Sequence, residues 1–300
     1  MHPFIERLAD NFVLLNLGAG ADTDYKAPPE ILKTITVVEL DGGNQPIQTS
    51  NVYHQKHRIN EWVSGTGGPR TFFKRAYWGC SGLADEQSDV VARYGLESFH
   101  KLESAQLVQT RALAEVVREL GITRVDFLKT DLEGIDFEVI QNMENFLPTT
   151  LALQSELRFT PVYAGETPCE EVVAWCRARE FEVVGLKPEY WKPKHPNWTQ
   201  CVDGNIVWAD FLFMRTPVSV RRLAEREGST LPLQKHILLA ALLGKLNHAC
   251  HLLGLYAPWF PEDELTVMSS LIMRFTKTNP GLIGPAFIPG FPHISNPQAA

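Results

Sequence analysis

The sequence predicts an α/β fold, a mostly parallel sheet wrapped by helices and followed by a helical segment. Three observations carry that prediction. Short apolar runs alternate with amphipathic stretches as far as about residue 216, the pattern of buried strands joined by crossover helices. The first run opens into a glycine-bearing turn, Gly18-Ala19-Gly20-Ala21-Asp22. Beyond Arg215 the apolar residues recur at helical spacing and no convincing strand appears.

Taken in order, Phe12–Leu17 (FVLLNL) reads as a fully buried strand and Ile35–Leu40 (ITVVEL) as the second. Residues 71–78 form a weaker third, 125–129 (VDFLK) the fourth and 151–157 (LALQSEL) the fifth. Residues 181–186 and 206–214 close the sheet as a terminal pair. Between them, 105–120 reads as one helix with Leu113, Val116, Val117 and Leu120 on its inner face and Gly121 as its stop. Thr167-Pro168-Cys169-Glu170 has the form of a capping box, ahead of a helix through Trp175 and Cys176.

Later in the chain, Leu265, Met268, Leu271, Ile272 and Phe275 share a helix face behind Pro261, Glu262 and Asp263. The chain therefore divides into a sheet domain over 1–216, a helical appendage over 217–278 and a proline-rich, irregular tail over 279–300. Ile237, Leu238, Leu239, Leu242 and Leu243 offer more apolar surface than one stripe against the sheet domain would hide. The appendage is thus expected to meet a second chain, as in a homo-oligomer.

Composition narrows the class. The chain has 300 residues, 44% of them hydrophobic and 21% charged, as in an ordinary globular protein. A formal net charge of −7 disfavours nucleic acid as a bulk partner, since that affinity rests on phosphate neutralisation. No transmembrane segment is expected, because the longest apolar run, 237–244, is far short of the ~20 residues a bilayer needs. The N-terminus shows no secretory pattern, and the five cysteines form no C-x-x-C pair. Plain thiols in a reducing, cytoplasmic setting follow, with no metal site expected from cysteine.

Two constellations point to chemistry. The turn after the first strand lets backbone approach a ligand at Gly18, Ala19 and Gly20, with Asp22 beside them. Glu39 lies 19 residues past Gly20, and Asp41 follows it. An acid at that place hydrogen-bonds ribose hydroxyls, so the pair of features describes an adenosine-type cofactor. A dinucleotide loop wants a third glycine where Thr23 stands. That departure disfavours an NAD-dependent oxidoreductase and fits S-adenosylmethionine (SAM), which has no pyrophosphate. Ser81 and Asp85 are weaker cofactor contacts after the third strand.

The second constellation is KTDLEG. A buried strand delivers Lys129, Asp131 and Glu133 to its carboxyl end, where open α/β sheets hold their ligands. Asp131 and Glu133 share one face of an extended segment. Paired acids there orient a group, take a proton or hold a cation; a divalent cation is admitted without being indicated. His54, three residues before His57, is a further candidate base on a segment that otherwise reads as a solvated loop. Lys187, Tyr190, Trp191, Lys192, Lys194 and Trp198 mix aromatic faces with cations in a loop that suits a sugar or an anionic ligand.

The run VQTRALAEVVRELGITRVDFLKTDLEGIDFEVI, with LNLGAG, VVELDG, LALQSEL and ADFLFMR in order around it, closely resembles the FkbM-type SAM-dependent methyltransferases. The resemblance covers about residues 12–215, and KTDLEG is its most specific part. It implies a Rossmann-like class I methyltransferase fold, seven-stranded and mostly parallel with the last strand antiparallel. It also implies O-methylation of a hydroxyl on a sugar, polyketide or lipid-linked saccharide, and an acid after the fifth strand, here Glu156. The chain departs from the family pattern at 25–29 and over the polar stretch 43–70. Asp131, then Glu133, then Glu156 are the candidate bases, with Lys129 orienting the acceptor. The rival from another class is a non-catalytic scaffold that kept the fold.

Overall fold

The computed structural model describes residues 3–9, 12–18, 25–43, 52–194 and 204–278. The strands within them are β1 (Phe12–Leu17), β2 (Ile35–Leu40), β3 (Gln55–Ile59), β4 (Trp62–Ser64), β5 (Gly68–Arg75), β6 (Leu102–Ala112), β7 (Phe127–Thr130), β8 (Ala152–Arg158), β9 (Phe181–Trp191) and β10 (Asn205–Arg215). The helices are α1 (Pro3–Leu8), α2 (Pro29–Leu32), α3 (Ser88–Arg93), α4 (Glu97–His100), α5 (Leu113–Glu119), α6 (Asp136–Asn142) and α7 (Cys169–Ala178). They continue as α8 (Pro217–Glu227), α9 (Leu231–Leu242), α10 (Leu246–Tyr256) and α11 (Glu262–Thr278).

Seven strands form one sheet in the order β3-β2-β1-β7-β8-β10-β9. Its pairs are parallel except that β10 runs antiparallel to both β8 and β9. This is the Rossmann-like arrangement the sequence implies. Every residue of β1 and β2 is buried, because helices cover both faces. The strand order reverses between β1 and β7, so a crevice opens at the carboxyl ends of those strands.

Alternation along β1 sorts the two layers. Phe12 and Leu14 join one core with α1, α9, α10 and α11. Leu15 and Leu17 join the other with α3, α5, α6 and α7. The helices after 217 therefore form one of the two layers on the sheet. Ile237, Leu238 and Leu239 are wholly buried and Leu242 nearly so. The surplus apolar surface expected at these residues of α9 is taken up inside the protein: α9 is covered by the sheet on one side and by α8, α10 and α11 on the others, and Leu243 just past its end is half-buried. A helix apolar all round is a core helix.

Lys235 on α9 fastens that layer to the sheet. Its Nζ donates to both carboxylate oxygens of Asp126 at 2.9 Å, and both side chains are fully buried. Asp126 also accepts the backbone N–H of Val13 at 2.9 Å, at the entrance to β1.

Several elements differ from the sequence reading. The third strand of the main sheet is β3, and residues 68–75 belong instead to a small sheet in the order β4-β6-β5. β3 (QKHRI) is an edge strand with only one neighbour, so no apolar alternation marks it. The helix expected over 105–120 is a strand as far as Ala112, where long pairing with β5 overrides local helix propensity. Only Leu113–Glu119 is helical, with Leu113, Val116 and Val117 buried as expected, while Leu120 caps the helix and is exposed. The capping box at 167–170 does not form; Pro168 is the N-cap and no side chain caps the helix. Among the described residues, no helix is long and apolar enough to cross a membrane. The proline-rich stretch 279–300 lies outside the described residues.

Candidate active site

The crevice is built from strand ends. β1 ends at Gly18, which sits at φ +67° with its N–H bonded to the carbonyl of Leu40 at 3.0 Å. A Cβ there would lie 1.9 Å from the carbonyl oxygen of Asp131, so only glycine lets the ends of β1 and β7 meet. β7 delivers Asp131, and the chain then turns through Glu133 at φ +53° and Gly134 at φ +99°. A non-glycine residue in the left-handed region costs energy that tertiary contacts must offset. For Glu133 those contacts are evident: its Oε2 accepts from Arg158 Nη2 at 2.6 Å and from the hydroxyl of Tyr163 at 2.7 Å.

Two cavities meet at this turn. The first, about 240 Å³, lies over the ends of β1 and β2 and is lined by Gly18, Asp41, Trp62, Trp78 and Ser81. The second, about 420 Å³, is lined by Cys80, His100, Glu156, Arg158, Tyr163 and Trp191 among others. Asp131 and Glu133 belong to both walls.

Arg158 organises the carboxylates. The side chain is 4% exposed. It donates to Glu133, to Glu156 at 2.5 Å and to Glu166 at 2.8 Å, and lies over the ring of Tyr163. Burial pushes the carboxyl groups of both Glu133 and Glu156 above the ordinary range, against the pull of Arg158. Asp136, buried behind the turn with Oδ1 accepting the N–H of Leu132, is pushed up to about 6, again by burial first. Asp131, Glu133 and Glu156 bring oxygens within 4.8 Å of one another, a spacing that would suit a divalent ion, although the guanidinium already serves two of them.

Cys80 and His100 stand across the second cavity, Sγ to Nε2 at 3.4 Å, with His100 Nδ1 3.2 Å from Glu86. This resembles a nucleophilic triad in outline only. Burial lifts the Cys80 thiol to about 12, and burial together with Arg75 lowers His100 to about 4. The imidazole is then too weak a base to hold a thiolate.

The sequence-derived residues fall into four groups. Asp131, Glu133 and Glu156 come together as expected, and Gly18, Asp41 and Ser81 line the first cavity. Lys129 pairs with Asp131 at 3.4 Å and lies outside both walls. Glu39 is fully buried and bound by Lys56 at 3.3 Å and Arg58 at 3.2 Å, so Asp41, just past the end of β2, is the acid that reaches the cavity. Asp85 is tied to Arg75 at 2.6 Å and lines neither cavity. His54 is corrected: its N–H bonds to Ile35 at the start of β2, roughly 13–16 Å of strand from the crevice. Ala19, Gly20 and Asp22 lie outside the described residues, as does Trp198.

Sequence reasoning missed Arg158, Tyr163 and the aromatic walls apart from Trp191, which it named as a ligand-facing ring and which lines the second cavity. Arg158 had a readable signal, since it follows Glu156 by two in a strand and so shares its face. Tyr163 and Trp62 had none, because loop and small-sheet geometry brings them in.

A mostly parallel sheet with this strand order, a glycine-hugged β1 turn and an acid-bearing crevice defines the methyltransferase class of Rossmann-like folds. A family model for the methyltransferase FkbM domain matches residues 3–183, and the chain belongs to that family. A search of curated proteins and a search of solved structures each returned no match.

Proposed function

We propose that the chain is a SAM-dependent O-methyltransferase acting on a free hydroxyl of a sugar, polyketide or lipid-linked saccharide. One observation carries the reading: a cavity at the ends of β1 and β2 and a second, larger cavity share Asp131 and Glu133 as a common wall. That is the layout needed to bring a methyl donor and its acceptor together at one turn.

The first cavity fits the donor. Gly18 leaves backbone exposed where a side chain would block it, Asp41 offers a carboxylate for ribose hydroxyls, and Trp62 and Trp78 offer flat apolar faces for a purine. SAM, when bound, supplies an electrophilic methyl group for in-line transfer. The chain's own contribution is alignment, which removes several kcal/mol of barrier, and management of the hydroxyl proton. Asp131 faces both cavities and takes that proton at its carboxylate. Glu133 is held by Arg158 and Tyr163 so that its position does not drift. Glu156, held by Arg158, stands in the wall of the second cavity where it meets the acceptor.

Mass spectrometry of the purified chain for co-bound SAM or S-adenosylhomocysteine, with calorimetric titration of S-adenosylhomocysteine, tests the reading. Binding with a 1:1 stoichiometry is expected. A folded chain that binds neither compound at millimolar concentration would mark it as a scaffold that kept the fold.

A further inference from the structure

Charge and walls of the second cavity restrict the acceptor further. Three carboxylates, Asp131, Glu133 and Glu156, face a space of about 420 Å³. Among the described residues, Arg158 is the one Lys or Arg side chain in its wall, and it is already bound to Glu133, Glu156 and Glu166. His100 is held neutral by burial and by Arg75. The cavity thus carries acid in excess and gives an anion no partner. Its other walls are ring faces, including Tyr77, Phe99, Trp191 and Trp208. Aromatic faces beside carboxylates attract cations and disfavour anions.

We infer that the acceptor carries an ammonium group near its hydroxyl, so that it is an amino sugar or a similar amino alcohol and not a phosphorylated or carboxylated one. The ammonium lies against Glu133 and Glu156 and the rings, and the hydroxyl is presented to Asp131. This rests on the methyltransferase reading, because it assigns the second cavity to the acceptor.

The test uses the full chain loaded with S-adenosylhomocysteine at pH 6.5. Glucosamine, glucose and glucose 6-phosphate are titrated by calorimetry. Glucosamine is expected to bind at least tenfold more tightly than glucose, with glucose 6-phosphate weakest. Glu156→Gln should cut the preference for glucosamine over glucose below threefold while S-adenosylhomocysteine affinity is unchanged. Equal or reversed affinities in the wild-type chain overturn the inference, whatever the variant does. So does a 1:1 Mg²⁺ titration that blocks glucosamine, which would assign the carboxylates to a metal. Loss of S-adenosylhomocysteine binding at the loading step is a different failure, and it overturns the methyltransferase reading itself.

Discussion

Removal of the Arg158 guanidinium is the sharpest perturbation of the carboxylate cluster. In Arg158→Gln, Glu133, Glu156 and Glu166 lose their shared cation in a site where Arg158 itself is 4% exposed. Breaking a buried ion pair by removing one partner costs about 3–5 kcal/mol. For a chain of this size, at about 2–4 °C per kcal/mol, the melting temperature should fall by roughly 6–20 °C. The loss should depend on pH in a defined direction. Glu133 and Glu156 already lie above the ordinary carboxylate range through burial, and loss of Arg158 removes the main influence lowering them. A group with a raised folded pKa contributes stability below its unfolded value, about 4.3, and loses it as pH rises through the folded value. The variant should therefore be close to wild type near pH 4.5 and increasingly unstable toward pH 8. Urea unfolding followed by circular dichroism at pH 4.5, 6 and 8 measures this. A stability loss that is constant across that range would show that the cluster is not held by Arg158 in the way described.

Other expectations follow from single contacts. Lys235→Met leaves Asp126 buried without its ammonium and should cost about 3–5 kcal/mol, recovered in part in Lys235→Met with Asp126→Asn, which keeps an oxygen for the Val13 N–H; a urea double-mutant cycle checks the coupling. Burial lowers His236 to about 3, so wild-type stability should fall as pH drops below 6.5, by up to ~1.4 kcal/mol per unit, and His236→Gln should flatten that limb of the curve. Asp131→Asn should reduce methyl transfer by about 10²-fold or more with S-adenosylhomocysteine affinity intact, measured by transfer of labelled methyl once an acceptor is in hand. Asp41→Ala should weaken S-adenosylhomocysteine by about 1.5–3 kcal/mol in calorimetry, whereas Glu39→Gln should chiefly lower the melting temperature, since Lys56 and Arg58 hold that carboxylate inside the sheet.

What the sequence disclosed of the fold tracks how much each element depends on its own residues. β1, β2 and β8 are buried on both faces, so their apolar runs name them directly. β3 draws its place from hydrogen bonds to β2 and carries a polar, edge-type sequence that no periodicity marks. β6 fails for the opposite reason. Its residues have a fair helix pattern, and only the distant β5 turns them into a strand. The C-terminal helices show a third kind of error. Their apolarity was legible, but its reach was judged against one sheet face alone, when α1, α8, α10 and α11 enclose α9 together with that face.

The site follows the same logic at finer grain. Asp131, Glu133 and Glu156 were legible because strand ends at the carboxyl edge of a parallel sheet converge whatever the loops do. Glu39 was legible as an acid in the right place, yet its side chain turns to the face where Lys56 and Arg58 of the neighbouring edge strand neutralise it, and those partners sit in the stretch with no readable strand. His54 failed because proximity in sequence to the polar stretch says nothing about which end of β3 it occupies; the parallel pairing with β2 places it at the end away from the crevice. Arg158 matters most for function because it converts three neighbouring acids into a fixed array. Without a buried cation, Glu133 and Glu156 would repel each other and the strained turn at Glu133 would lose the contact that offsets its cost. The position of the candidate base Asp131, separated from the strained Glu133 only by Leu132, therefore depends on a guanidinium contributed by the next strand of the sheet.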